Sequence, residues 1–178
     1  MNLPNYITLI RIILIPFFIN LMIYGYYGTA LIVFVVACVT DALDGMIARL
    51  TKSMTELGAF LDPMADKLLI VSAFMTLVLL RMLPVWLAII VVSRDVILVL
   101  GSVAIYFIGQ DFKARPSIIG KATTVLQLVV VTLALALKNY GTTGGLIPIL
   151  HWTTAVFTIV SGVQYVVRGI RIAGSDLQ

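Results

Sequence analysis

Six long apolar stretches, separated by short polar or glycine-containing links, fill almost the whole sequence, over about residues 7–27, 30–50, 57–80, 84–108, 118–138 and 146–170. Each is close to the ~20 residues an α-helix needs to cross a ~30 Å hydrocarbon core. None alternates with the period of two expected of a transmembrane β-strand. Composition closes the remaining routes: 61% of the 178 residues are hydrophobic and 11% charged, with a mean hydropathy of +1.12. A soluble domain is roughly 45–50% apolar and about 25% charged. So little polar surface excludes a soluble enzyme, a disordered tail and a disulfide-built secreted domain. The expected fold is an all-α integral membrane protein of six transmembrane helices. No repeat or linker divides it, so residues 1–178 are expected to form one membrane domain.

The punctuation has physical causes. Gly25 and Gly28 end the first stretch, and Thr51–Glu56 is a polar link. Arg81 and Pro84 separate the third from the fourth, Asp111–Pro116 the fourth from the fifth, and Gly141, Gly144 and Gly145 the fifth from the sixth. Charge then orients the chain. One set of links and ends carries Arg49, Lys52, Lys113, Arg115, Lys121, Arg168 and Arg171; the opposite set carries Arg81 and Lys138. Cation-rich connections stay in the cytoplasm, which places both termini there. The N-terminus has no basic leader or cleavage pattern, so it reads as the first helix. Cations dispersed in this way do not form a nucleic-acid surface. Cys38 is the single cysteine, so no internal disulfide is possible, and it reads as a small buried hydrophobe.

The acids carry the chemistry. Asp41 and Asp44 fall in the second stretch, Asp62 and Asp66 in the third, Asp95 in the fourth, and Glu56 at a boundary. An ionised side chain at membrane depth costs at least ~2.5–3.5 kcal/mol. Asp41 and Asp44 are i, i+3 and share a helix face, which Ala48 continues; Asp62 and Asp66 are i, i+4 behind Gly58. On antiparallel neighbouring helices both pairs lie at matching depth, roughly 8–14 Å from the cytoplasmic helix ends. Four converging carboxylates repel unless cations neutralise them. All-oxygen ligation suits Mg²⁺ or Mn²⁺, and two such ions suit displacement at phosphorus. Gly45, Ala48 and Gly58 clear room for a ligand against the backbone. Arg49 can grip a pyrophosphate with its bidentate fork.

Written out, the pattern is Asp41-x2-Asp44-Gly45-x2-Ala48-Arg49-x8-Gly58-x3-Asp62-x3-Asp66. In all its fixed positions it resembles the signature of the CDP-alcohol phosphotransferase family. That resemblance implies six transmembrane helices, usually as a homodimer, with a cytoplasm-facing polar cavity. It further implies that Asp41, Asp44, Asp62 and Asp66 bind two metal ions. Asp66 would also act as general base, and Asp41, Gly45, Ala48, Arg49 and Gly58 would line the CDP-lipid site. The implied reaction is attack of an alcohol on the β-phosphorus of a CDP-lipid such as CDP-diacylglycerol, releasing CMP.

Further segments resemble one branch. Leu3-Pro4-Asn5-x2-Thr8-x2-Arg11-x4-Pro16, Asp62-Pro63-x-Ala65-Asp66-Lys67 and Gly120-Lys121-x-Thr123-Thr124-x2-Gln127 are similar to phosphatidylglycerophosphate synthases. Two positions depart: Asp95 where Glu is common after the arginine, and Thr123 where a second lysine is common. Ser93-Arg94-Asp95 and Arg115-Pro116-Ser117 look more like cardiolipin synthases, whose acceptor is phosphatidylglycerol. Glycerol 3-phosphate, the other candidate acceptor, is a dianion and needs fixed cations. The candidates are Lys113, Arg115 and Lys121, with Arg94 and with Arg11 should the first helix face the cavity. Lys121 leads, because it lies in the branch's Gly-Lys motif. Arg94 and Asp95 lie mid-span, point apart as adjacent helical residues do, and each needs a partner on another helix. His151, Trp86 and Trp152 read as interfacial residues. Intramembrane acids also mark ion or proton pathways, but these four gather near one face.

Overall fold

The computed structural model describes the backbone of residues 3–51, 56–107, 117–141 and 147–174, and the side chains of 10–40, 67–101, 117–141 and 148–170. The described residues form helices α1 (Leu3–Ile23), α2 (Tyr27–Thr51), α3 (Glu56–Leu79), α4 (Val85–Phe107), α5 (Ile118–Tyr140) and α6 (Ile147–Gly174). No strand occurs among them. All six helices match the expected stretches to within four residues at each end. The first is displaced by four residues at both ends, from the expected 7–27 to Leu3–Ile23. Pro4 fits its first turn, where no amide donor is needed. Its end is set by Gly25, whose φ of 81° no longer continues the helix. There Tyr26 N donates to Leu21 O at 2.9 Å and Gly25 N to Met22 O at 3.2 Å, the paired bonds of a Schellman cap.

The chain groups into two compact units. The first comprises Met1–Leu83 with Val131–Gly144, and the second Pro84–Val130 with Gly145–Gln178. In the first unit α1 packs against both α2 and α3. Phe18 of α1 meets Phe34 of α2 with ring centroids 5.7 Å apart, and Met22, Phe74, Leu77 and Leu135 are fully buried. The end of α5 reaches the start of α2. Lys138 Nζ lies 5.8 Å from the Tyr27 ring centroid. Gly28 leaves only 2.9 Å between an added Cβ and Asn139 Oδ1.

In the second unit α4 and α6 run parallel. Trp86 faces Trp152 at 4.9 Å, Arg94 meets Ser161, and Tyr165 Oη donates to Leu98 O at 3.2 Å. Contacts therefore advance together along both helices. α5 runs against them, since Gly120 lies by Ser161 while Thr123 Oγ1 donates to Phe157 O at 3.1 Å.

Large apolar side chains point outward throughout: Ile13, Phe17, Ile32, Leu79, Ile89, Leu100, Val163 and Ile170 are all more than half exposed. Water would not tolerate so much apolar surface on a monomer of this size; hydrocarbon does. Helix hydroxyls meet the same demand by bonding their own backbone, Thr76 Oγ1 to Ser72 O and Thr158 Oγ1 to Thr154 O, both at 2.7 Å. Helix α5 and Pro148–Ile170 of α6 are each long and apolar enough, by length and composition, to cross a membrane.

Candidate active site

Both aspartate pairs lie on continuous helical backbone, Asp41 and Asp44 within α2 and Asp62 and Asp66 within α3. Helical backbone is what the i, i+3 and i, i+4 reading of these pairs requires. The side chains of Asp41, Asp44, Gly45, Ala48, Arg49, Gly58, Asp62 and Asp66 lie outside the described residues. What the fold adds is α1, which packs on both motif-bearing helices. Arg11 of α1 is buried.

Of the other candidate cations, Lys113 and Arg115 lie outside the described residues. Lys121 is exposed on the first turn of α5. Ser117 caps that turn: Gly120 N donates to Ser117 Oγ at 3.0 Å, and Lys121 N donates to Ser117 O at 3.1 Å.

Arg94 is only 7% exposed and Asp95 3%. The expectation that these neighbours point apart and seek separate partners is corrected. Arg94 Nη1 lies 2.7 Å from Asp95 Oδ1, and only the second half of the expectation holds for Arg94, whose Nη2 donates to Ser161 Oγ on α6 at 2.9 Å. The Arg94 stem packs over α6 at Gly162, where an added Cβ would stand in ordinary contact 3.5 Å from Arg94 Cγ, and its guanidinium reaches both Ser161 and the adjacent carboxylate. Ser161, Gly162 and Gly120 thus belong to a buried polar joint that the Arg94–Asp95 dipeptide alone did not disclose. The available signal was the Ser161-Gly162 pair of small residues midway along α6.

The two acid pairs lie on α2 and α3, the two helices against which α1 packs. The sequence model of the CDP-alcohol phosphatidyltransferase family matches residues 1–160. The chain belongs to that family. A probable phosphatidylglycerophosphate synthase of Mycobacterium tuberculosis is 34% identical over 99% of this chain and 86% of its own length. A CDP-diacylglycerol–glycerol-3-phosphate 3-phosphatidyltransferase of Bacillus subtilis is 33% identical over 92% of this chain and 93% of its own. A human cardiolipin synthase (CMP-forming) is also 33% identical, over 88% of this chain but 58% of its own length. Membership makes the protein a membrane-embedded phosphatidyltransferase using a CDP-alcohol donor. It also decides between the two uses of intramembrane acids in favour of an enzyme.

Proposed function

We propose that this protein transfers the phosphatidyl group of CDP-diacylglycerol to glycerol 3-phosphate, giving phosphatidylglycerophosphate and CMP. The observation that carries the reading is similarity, over nearly their whole lengths, to proteins named for that reaction, joined to the aspartate pattern on α2 and α3. All six helices span the membrane, with both termini and the site facing the cytoplasm of a bacterial cell, and the protein works as a homodimer among membrane lipids. The cation asymmetry of the links supports that orientation.

The donor set fits divalent metal: four carboxylates, paired by helical spacing, with no softer ligand among them. Asp41, Asp44, Asp62 and Asp66 would hold two Mg²⁺ or Mn²⁺ ions, which supply charge stabilisation at the pyrophosphate. Gly45, Ala48 and Gly58 leave space for the CDP group, and Arg49 pairs with its phosphates. Asp66 accepts the proton of the acceptor hydroxyl as that oxygen bonds to the β-phosphorus. The bond from that phosphorus to CMP breaks, and CMP leaves with the electron pair. Lys121, with Lys113, Arg115 and Arg11, recognises the phosphate of the acceptor.

One observation favours phosphatidylglycerol as acceptor instead. The charge of Arg94 is balanced by Asp95, which removes one cation from those available to a dianion.

The test is CMP release by the purified protein with CDP-diacylglycerol, Mg²⁺ or Mn²⁺, and either glycerol 3-phosphate or phosphatidylglycerol as sole acceptor. Release with glycerol 3-phosphate alone, abolished in Asp66→Asn, is the expected result. Release with phosphatidylglycerol alone assigns the cardiolipin synthase reaction.

A further inference from the structure

Arg94 lies where three helices meet. Its Nη1 pairs with Asp95 on α4, its Nη2 donates to Ser161 on α6, and its stem crosses Gly162. The first turn of α5 rests on the same joint. A Cβ added to Gly120 would stand 3.6 Å from both Arg94 Nη2 and Ser161 Oγ, and 3.2 Å from the capping Ser117 Oγ. The start of α5 thus lies within ordinary contact distance of the guanidinium and the Ser161 hydroxyl, and only the Ser117 contact would be tight. Lys121 is the next residue, and its amide is fixed by the same Ser117 cap.

A buried ion pair contributes little net stability, because desolvation offsets attraction; replacement by well-packed apolar groups is often neutral or stabilising. What an arginine adds over a leucine is direction. Its planar fork fixes two partners at set angles, here one on each of two parallel helices, with a third helix seated on top. We propose that Arg94 is a positioning residue: held by Asp95 and Ser161, it sets the first turn of α5 and thereby the place of Lys121. This rests on the reading that Lys121 binds the acceptor phosphate. It differs from direct binding by Arg94, since the guanidinium is buried, charge-balanced and committed to α4 and α6.

The decisive experiment is a double-mutant cycle on the full-length protein in detergent micelles. KM for the acceptor, KM for CDP-diacylglycerol and kcat are measured for wild type, Ser161→Ala, Lys121→Ala and the double variant, below the melting temperature of each. The acceptor is glycerol 3-phosphate, or phosphatidylglycerol where that is the one used. Ser161→Ala is expected to raise acceptor KM about tenfold, the worth of a hydrogen bond to a charged group, with donor KM unchanged. In the Lys121→Ala background the same substitution is expected to add less than about twofold, because coupled residues are non-additive. Arg94→Lys, which keeps the charge but not the fork, is expected to reproduce the Ser161→Ala pattern. Equal factors in both backgrounds, or an equal rise in donor KM, overturn the positioning role while leaving the Lys121 reading intact. Unchanged acceptor KM in Lys121→Ala overturns that reading, and this proposal with it.

Discussion

Arg94 forms its ion pair with Asp95, the very next residue, at 2.7 Å within one helix. Both side chains are buried, so loss of the carboxylate leaves a desolvated cation whose remaining partner among the described residues is the Ser161 hydroxyl. Removing one partner of a buried pair typically costs ~3–5 kcal/mol. Asp95→Asn is therefore expected to lower the thermal midpoint in detergent markedly. The joint change Arg94→Met with Asp95→Leu, which removes both charges, should recover part of that loss. A midpoint for Asp95→Asn equal to wild type would show that the pair is not buried in the membrane protein.

Two of three helix ends close on glycine and one does not. Gly25 and Gly141 take positive φ of 81° and 67° after α1 and α5, whereas Arg81 takes φ 55° after α3. Arg81 N donates to Val78 O at 2.9 Å and Met82 N to Leu77 O at 2.8 Å, so Arg81 occupies the left-handed position of a Schellman cap. That conformation costs an L-residue roughly 1–2 kcal/mol, against about 0.4–1 kcal/mol lost through the unfolded state when glycine is introduced. Arg81→Gly should be more stable than wild type by about 0.5–1 kcal/mol and Arg81→Val less stable. Thermal melts that reverse this order would refute the strain argument.

The helices were legible because an apolar run of about 20 residues has few alternatives in a membrane. Their ends were less so. Gly25 announced the end of α1 only loosely, since the last helical residue, Ile23, precedes the glycine by two positions. Arg81 marked a link by its charge, with nothing in its chemistry to suggest a left-handed cap. For the aspartates, what was legible is the helical backbone that i, i+3 and i, i+4 spacing needs, which α2 and α3 supply. The Arg94–Asp95 pair was misread for the opposite reason. Its geometry involves a partner 67 positions further along the chain, Ser161, which accepts from the same guanidinium. A contact of that kind is written in tertiary packing and leaves no local period to read.

Overpacking gives a separate check on how α4 meets α6. A Cβ on Gly101 would lie 2.8 Å from Tyr165 Cε1, on a ring whose hydroxyl bonds Leu98 O at 3.2 Å and so cannot swing aside freely. Gly101→Ala is expected to cost ~1–3 kcal/mol. Gly28→Ala also meets a close neighbour, the Asn139 amide at 2.9 Å, but that is the far end of a flexible side chain and the cost should be smaller. Melting both variants side by side tests the ranking, and a costlier Gly28→Ala would refute it.

The metal reading makes its own demand. On the proposed four-carboxylate site, chelation with EDTA should abolish CMP release and Mg²⁺ or Mn²⁺ should restore it. Loss of an outer-shell partner weakens metal affinity by ~10–100-fold, and loss of a ligand should exceed the lower figure. Asp41→Asn is thus expected to raise the Mg²⁺ concentration for half-maximal activity at least about tenfold. A titration superimposable on wild type would remove Asp41 from the ligand set.

Gln127 poses the last question. Its side chain is fully buried on α5, yet neither its amide oxygen nor its amide nitrogen has a hydrogen-bond partner among the described residues. One turn earlier Thr123 meets Phe157, so the antiparallel register brings Gln127 level with Thr153 and Thr154, and the buried Thr154 hydroxyl is likewise without a partner. A buried polar group left unsatisfied costs about 1–3 kcal/mol. Gln127→Met keeps the length and removes both polar atoms, and should raise the thermal midpoint by about 2–4 °C for each kcal/mol relieved. Adding Thr154→Val should raise it again. A fall on Gln127→Met would mean that the amide is bonded in the native protein, through an internal water or to Thr154 itself, and that α5 and α6 are tied at this depth as they are at Arg94.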